Sequence, residues 1–71
     1  MERYANLNGN SNVVAFEIGN TWIKVQFATG LPYTYSYQKA GEIHVERMKV
    51  LAREGRGLNS YIMLNCKYSY D

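Results

Sequence analysis

Residues 12–28 read NVVAFEIGNTWIKVQFA, and this stretch decides the fold. Apolar side chains alternate with others on both sides of Gly19-Asn20, and this period of two predicts half-buried strands at 12–18 and 21–28. Both Gly19 and Asn20 tolerate a positive φ, so we expect them to form a two-residue hairpin turn. The stretch therefore predicts an antiparallel hairpin.

The expected turn determines which side chains of the hairpin face each other. With Gly19-Asn20 as the loop, the apolar pairs are Phe16 with Ile23 and Val14 with Val25. These pairs all lie on one side of the two strands, as a half-buried sheet requires. We expect a helix to cover this shared apolar side.

A third strand is predicted at 31–37, where tyrosines occupy alternate positions. Pro32 has no N–H group to donate to a neighbouring strand, so we expect this strand, or at least its start, to lie at an edge of the sheet. The strand completes an antiparallel β-meander of three strands.

The loop before the third strand decides which way its tyrosines face. With a two-residue loop, Tyr33 and Tyr35 face outward beside Trp22 and Lys24, forming an aromatic platform on which RNA bases could stack. With a three-residue loop that ends at a left-handed Gly30, the tyrosines join the core side. We favour the three-residue loop, because a closing left-handed glycine is its usual form and Thr-Gly is a weak two-residue turn.

After the tyrosine strand, the apolar period becomes that of a helix, which we predict at 41–54. Its apolar stripe consists of Val45, Met48, Leu51 and Ala52. Gly55 is expected to end this helix as its C-cap. Asn59 is expected to cap a short second helix that carries Ile62 and Cys66 on one face. The tail 67–71 fits either a frayed helix or an extended strand.

The pattern as a whole predicts an α+β fold, a three-stranded antiparallel β-meander followed by two α-helices packed on one face. Residues 1–11 are polar and rich in asparagine, and we expect them to form a flexible leader. Residues 12–71 are expected to form a single domain, since a chain of 71 residues has room for no more than one.

Composition excludes several classes of protein. One cysteine and one histidine rule out a disulfide within the chain and a Cys/His zinc cluster, so we expect no metal and no cofactor. No apolar run approaches the roughly 20 residues of a membrane span, so no membrane partner is expected. The first six residues have no apolar signal core, and with a lone thiol this favours a cytoplasmic location. The net charge of +2 permits nucleic-acid binding without requiring it.

The titratable residues do not indicate an enzyme. We interpret Cys66 as a small core residue and His44 as a surface or boundary residue. Lys49, Arg53 and Arg56 follow helical spacing, and we interpret this row as a solvated face. A phosphate near the start of the second helix, assisted by Arg56, is a further possibility.

The chain also resembles a known family in the order of its short motifs. These are Phe27-x-x-Gly30, Tyr33-x-Tyr35, Leu51-Ala52-x-x-Gly55 and Leu58-Asn59-x-x-Ile62. From about residue 11 to 68 they resemble the KTSC domain, a small module named for the C-terminal region of some lysyl-tRNA synthetases and also found free-standing. The resemblance implies a free-standing KTSC-type domain of a family without an established activity. RNA binding is implied only through the association with a tRNA ligase.

We therefore expect a small non-enzymatic binding module with RNA as its leading partner. The candidate ligand-binding residues are Tyr33, Tyr35, Trp22, Lys24 and Arg56. The alternative is a module for protein–protein interaction or homo-oligomerisation, because an edge strand and many tyrosines fit a surface that another chain completes.

Overall fold

The computed structural model describes residues 1–9 and 11–71, so Asn10 of the expected leader lies outside the described residues. The strands are β1 (Glu2–Arg3), β2 (Val13–Ile18), β3 (Trp22–Phe27) and β4 (Tyr33–Ser36). The helices are α1 (Tyr37–Ala40), α2 (Glu42–Glu54) and α3 (Leu58–Tyr61), and α3 continues as a π-helical turn at Ile62–Cys66. The strands form one antiparallel sheet in the order β1-β2-β3-β4. The structure confirms the α+β class and corrects the strand number from three to four.

The core lies between one face of the sheet and the helices. Every second residue of β3 is buried, namely Ile23, Val25 and Phe27. The helical side of the core consists of Val45, Met48, Ala52, Leu58, Ile62 and Cys66. Each fully buried large apolar side chain contributes about 1.5–3 kcal/mol. The predicted stripe of α2 thus packs on the sheet.

The β2–β3 hairpin is present, but its turn lies one residue later than expected. Ile18 pairs with Ile23, and the Gly19 N–H group donates to the Trp22 carbonyl over 2.9 Å. The two loop residues are therefore 20–21, and the predicted Gly19-Asn20 turn was wrong.

Gly19 serves close packing rather than the turn. It is absent from the residues with positive φ, so its backbone does not need glycine. A Cβ atom at Gly19 would lie only 2.0 Å from the indole ring of Trp22. The ring lies over the Gly19 backbone, which explains why a glycine precedes the actual turn.

The shifted turn changes the pairing by two positions, so most side chains stay on the expected face. Phe16 now pairs with Val25 and remains buried. A bulge between Val13 and Ala15 then shifts the register, because the extra residue has no partner on β3. As a result Val13 is buried and Val14 is 44 % exposed. The expectation that Val14 belongs to the core was wrong.

The connection from β3 to β4 takes the three-residue form that we favoured. Tyr33 pairs with Val25 and Tyr35 with Ile23, and Gly30 is left-handed with a φ of 91°. The tyrosines therefore lie on the core side. β4 is also an edge strand, as the position of the proline predicted.

The fourth strand lies in the segment expected to be a flexible leader. β1 pairs with β2, and the buried ring of Tyr4 places its hydroxyl where it accepts the Leu58 N–H group over 3.3 Å. The Leu7 N–H group donates to the Gly55 carbonyl over 2.7 Å. A two-residue strand is too short to show alternation, so its sequence carried no strand signal.

The helix ends are partly as predicted. Gly55 ends α2 in the left-handed conformation, and its N–H group donates to the Leu51 carbonyl. Asn59 does not cap the next helix, because the left-handed Gly57 lets the helix begin earlier, at Leu58. The expected cap therefore lies inside the helix.

A short helix, α1, was not expected and begins inside the predicted third strand. The Ser36 side chain caps it by accepting the Lys39 N–H group over 3.3 Å. This cap ends β4 at Ser36 and turns the chain toward α2.

Replacing Gly19 by alanine should displace the Trp22 indole, because the new Cβ atom would overlap the ring. We expect the free energy of unfolding to fall by about 1–3 kcal/mol, as at other overpacked sites. The fluorescence of Trp22, the single tryptophan, should shift as well. In a Trp22→Val background, the Gly19→Ala substitution should lower the free energy of unfolding much less. Equal costs in both backgrounds would contradict the contact.

Replacing Tyr4 by alanine should lower the free energy of unfolding by about 3–5 kcal/mol, because it empties a buried site. Tyr4→Phe keeps the ring but removes the acceptor of the Leu58 N–H group, which should cost about 1–3 kcal/mol. Urea unfolding measures both. Unchanged stability in both variants would show that the N-terminal segment is a leader after all.

Candidate functional site

An open cleft lies where β4, the π-helical turn and the tail 67–71 meet. We call it the tyrosine cleft, and its aromatic and apolar lining consists of Phe27, Tyr33, Tyr35, Met63, Tyr68 and Tyr70. Its volume is about 390 Å³. This volume falls within the roughly 300–1,000 Å³ of small-molecule sites.

The rings of the tyrosine cleft pack on one another but leave exposed surface. The ring centroid of Tyr33 lies 5.9 Å from that of Phe27 and 4.6 Å from that of Tyr70. Tyr70 also meets Tyr35 edge-on at 6.4 Å. Exposed fractions are 38 % for Tyr33, 36 % for Tyr70 and 77 % for Tyr68. A planar ligand could therefore contact ring surface that the protein does not cover.

The tail that carries two of these tyrosines is held along β4. The Asp71 N–H group donates to the Thr34 carbonyl over 2.7 Å. The Ser36 hydroxyl donates to Asp71 Oδ1, also over 2.7 Å. These bonds resolve the ambiguity of the tail, whose end runs beside the edge strand and places Tyr70 in the cleft.

The polar lining of the tyrosine cleft includes two amides and a cation. Asn12 and Asn59 line it together with Lys67, whose Nζ lies 5.5 Å from the centroid of the Tyr68 ring. This distance is within the range of a cation–π contact. None of the described lining residues is acidic. The cleft therefore suits a ligand that is aromatic and neutral or negatively charged.

Trp22 and Lys24 lie on the other face of the sheet from Tyr33 and Tyr35. They line a smaller cavity of about 290 Å³, together with Thr34, Ser36 and Asp71. Trp22 pairs with Ser36 and Lys24 with Thr34 across β3 and β4. The structure therefore does not bring the four candidate residues together into an aromatic platform.

Arg56 lies in a third place, a polar cavity of about 150 Å³ that we call the Arg56 pocket. Its lining also includes Asn6, Asn8, Ser11, Asn59 and Ser60, and none of its described lining residues is acidic. Asn59 borders the Arg56 pocket and the tyrosine cleft alike. The predicted site residues thus divide among three cavities, two of which adjoin.

Lys49 does not belong to a solvated basic face. Its side chain is buried and donates to the Asn20 carbonyl over 2.9 Å and to Glu46 Oε2 over 2.7 Å. Glu46 also accepts the hydroxyl of Tyr37, and these two bonds lower the pKa of the carboxyl. Lys49 therefore ties α2 to the β2–β3 turn, and its charge is paired with Glu46.

The one cysteine and the one histidine occupy separate structural positions. Burial raises the pKa of the Cys66 thiol, which opposes thiolate formation. His44 Nδ1 lies 2.6 Å from the hydroxyl of the partly buried Tyr61, so the histidine links α2 to α3. Both positions agree with the interpretation of these residues as structural.

Within residues 1–9 and 11–71, no three His, Cys, Asp or Glu side chains lie close enough to hold a metal ion. None of the helices in these residues combines the length and apolar character needed to cross a bilayer.

Sequence reasoning named Tyr33 and Tyr35 but missed the other residues that line the tyrosine cleft. These are Asn12, Phe27, Thr29, Asn59, Met63, Lys67, Tyr68 and Tyr70. The alternation of Tyr68 and Tyr70 resembles that of Tyr33 and Tyr35 and is a signal for an extended tail. It does not tell which strand the tail follows. The cleft exists only because the tail lies along β4, so tertiary structure alone defines it.

No protein-family model, curated protein or solved structure matches this chain. The KTSC resemblance therefore stays a prediction. Function has to be argued from the cavities themselves.

Tyr35 should make the protein less stable as the solution becomes alkaline. Burial, helped by the nearby Cys66, Tyr33 and Tyr70, raises the pKa of Tyr35 from 10.0 to about 12. Because the unfolded chain loses this proton first, the stabilisation is complete below about pH 10 and is lost as the pH rises toward 12. Urea unfolding across this range should show a shallower decline in Tyr35→Phe. Parallel declines would contradict the burial of the hydroxyl.

Proposed function

We propose that this chain is a non-enzymatic module that binds single-stranded RNA in the tyrosine cleft, as a KTSC-type domain. The observation that carries the proposal is the set of partly exposed tyrosine rings beside Lys67, in a cleft with no acidic residue among its described lining. Single-stranded nucleic acids are bound by this combination of aromatic surface and positive charge.

Stacking supplies the main contact. Tyr68 and Tyr70 offer ring surface to solvent, and every base has a flat face that can cover such a ring. Base–aromatic stacking contributes about 1–3 kcal/mol per base. The volume of about 390 Å³ leaves room for one base, with further bases on the exposed Tyr68.

Polar groups add orientation and long-range attraction. The amides of Asn12 and Asn59 can donate to and accept from the edges of an unpaired base. Lys67 supplies a charge for a neighbouring phosphate. Among the described residues that line the three cavities, only Asp71 is acidic, and it lines the cavity on the opposite face of the sheet. Charge complementarity therefore favours the tyrosine cleft over the outer face.

The positions of Cys66 and His44 also favour a binding role over catalysis. The buried Cys66 is held as a thiol, and the His44 nitrogen is engaged by Tyr61. A nucleophilic site needs an accessible thiolate or a base poised beside the nucleophile.

The direct test is titration of a short fluorescently labelled oligoadenylate at low and at moderate salt. We expect binding that weakens with salt, with a slope of about −0.7 in log K against log salt concentration for each phosphate contacted. Absence of binding at low salt would remove the proposal. Sedimentation in the same buffers identifies self-association, because a mass that rises with protein concentration without RNA would favour the alternative module.

Variants locate the site on one face of the sheet. Tyr68→Ala should weaken oligoadenylate binding about five- to a hundredfold, because it removes one stacking ring of an exposed residue. Lys67→Ala should weaken binding and lower the salt slope. Lys24→Ala is the matched control, since it removes the same charge from the outer face. A larger effect from Lys24→Ala than from Lys67→Ala would assign binding to the outer face instead.

A further inference from the structure

The tyrosine cleft and the Arg56 pocket adjoin. Asn59 lines both cavities, and the consecutive residues Ser11 and Asn12 line the pocket and the cleft respectively. The two cavities therefore share one wall on α3 and another on the segment that leads into β2. A ligand of modest length could occupy both.

The two cavities have complementary chemistry. The cleft of about 390 Å³ is lined mainly by rings, whereas the pocket of about 150 Å³ is lined by amides, hydroxyls and a guanidinium. Among the described residues, the only ion pair joins Lys49 to Glu46, so the exposed Arg56 is not neutralised by a carboxylate there. Arginine is well suited to phosphate, because its planar fork can donate two parallel hydrogen bonds.

The wall of the Arg56 pocket is held in place by hydrogen bonds. The Ser11 N–H group donates to Asn6 Oδ1 over 3.0 Å, across the loop that carries both residues. The Leu7 N–H group donates to the carbonyl of Gly55, next to Arg56. Tyr4 closes the inner side through its bond to Leu58. The pocket is therefore lined by Tyr4, Asn6, Asn8 and Ser11, which belong to the segment expected to be a flexible leader.

We infer that the tyrosine cleft and the Arg56 pocket form one composite nucleotide site, in which a base lies in the cleft and its phosphate lies against Arg56. Asn59, at the junction, faces the position of the ribose. The inference rests on the proposed function and adds to it the position of the phosphate. Either a free mononucleotide or one nucleotide of an RNA chain would supply this chemistry.

The test compares adenosine with adenosine monophosphate at equal ionic strength, followed by the chemical shifts of the backbone amides. Adenosine monophosphate should bind roughly ten- to a hundredfold more tightly, because a charge-assisted bond to phosphate is added to the same base contact. Arg56→Ala should abolish this difference between adenosine and adenosine monophosphate. Arg53→Ala, which removes an equal charge three residues away, should preserve the difference.

The short oligoadenylate distinguishes the two sources of the nucleotide. If adenosine monophosphate does not bind but Arg56→Ala weakens the oligoadenylate more than Arg53→Ala does, the site takes a nucleotide within a chain, and the inference stands. If the oligoadenylate binds equally to Arg56→Ala and Arg53→Ala and the monophosphate has no advantage over adenosine, the inference fails and the proposed function survives. If neither probe binds the native chain, both fail.

Discussion

The structure depends on the burial of one side of β3. Its alternate residues Ile23, Val25 and Phe27 face the helices, and a neighbouring strand must place its own apolar side chains on that same face. A shift of the strand register by one residue would turn apolar side chains to solvent. The register can therefore change only by two residues or through a local bulge. Both occur in β2, where the turn moves and the bulge buries Val13 in place of Val14.

The same constraint creates the tyrosine cleft. The left-handed Gly30 sets the register that puts Tyr33 and Tyr35 on the helix side. Tyr35 packs into the core and is buried, whereas Tyr33 remains partly exposed. Tyr70 then packs against both rings. An open cleft therefore remains on the core side, because the helices cover the sheet only in part.

Charge is distributed unevenly over this small domain. The buried Lys49 bonds to Glu46 of α2 and to the β2–β3 turn. Lys49, Arg53 and Arg56 therefore do not form one exposed basic row, although their spacing in the sequence is helical. Lys67 and Arg56 remain beside cavities without described acidic lining. A modest net charge of +2 can still give a locally positive surface, because none of the described residues lining these two cavities carries a carboxylate.

The sequence by itself determined the elements whose signals are local, namely the alternation of β3 and the end of α2 at Gly55. It favoured the three-residue loop closed by Gly30, which the pairing of β3 with β4 confirms. Their cues are side-chain period and glycine conformation, which neighbouring residues set. Only the tertiary structure decided the fourth strand, the bulge and the joining of Tyr70 and Asn59 to one cleft. These features come from contacts between segments distant in the chain, and a short polar segment does not show which distant groups it will meet.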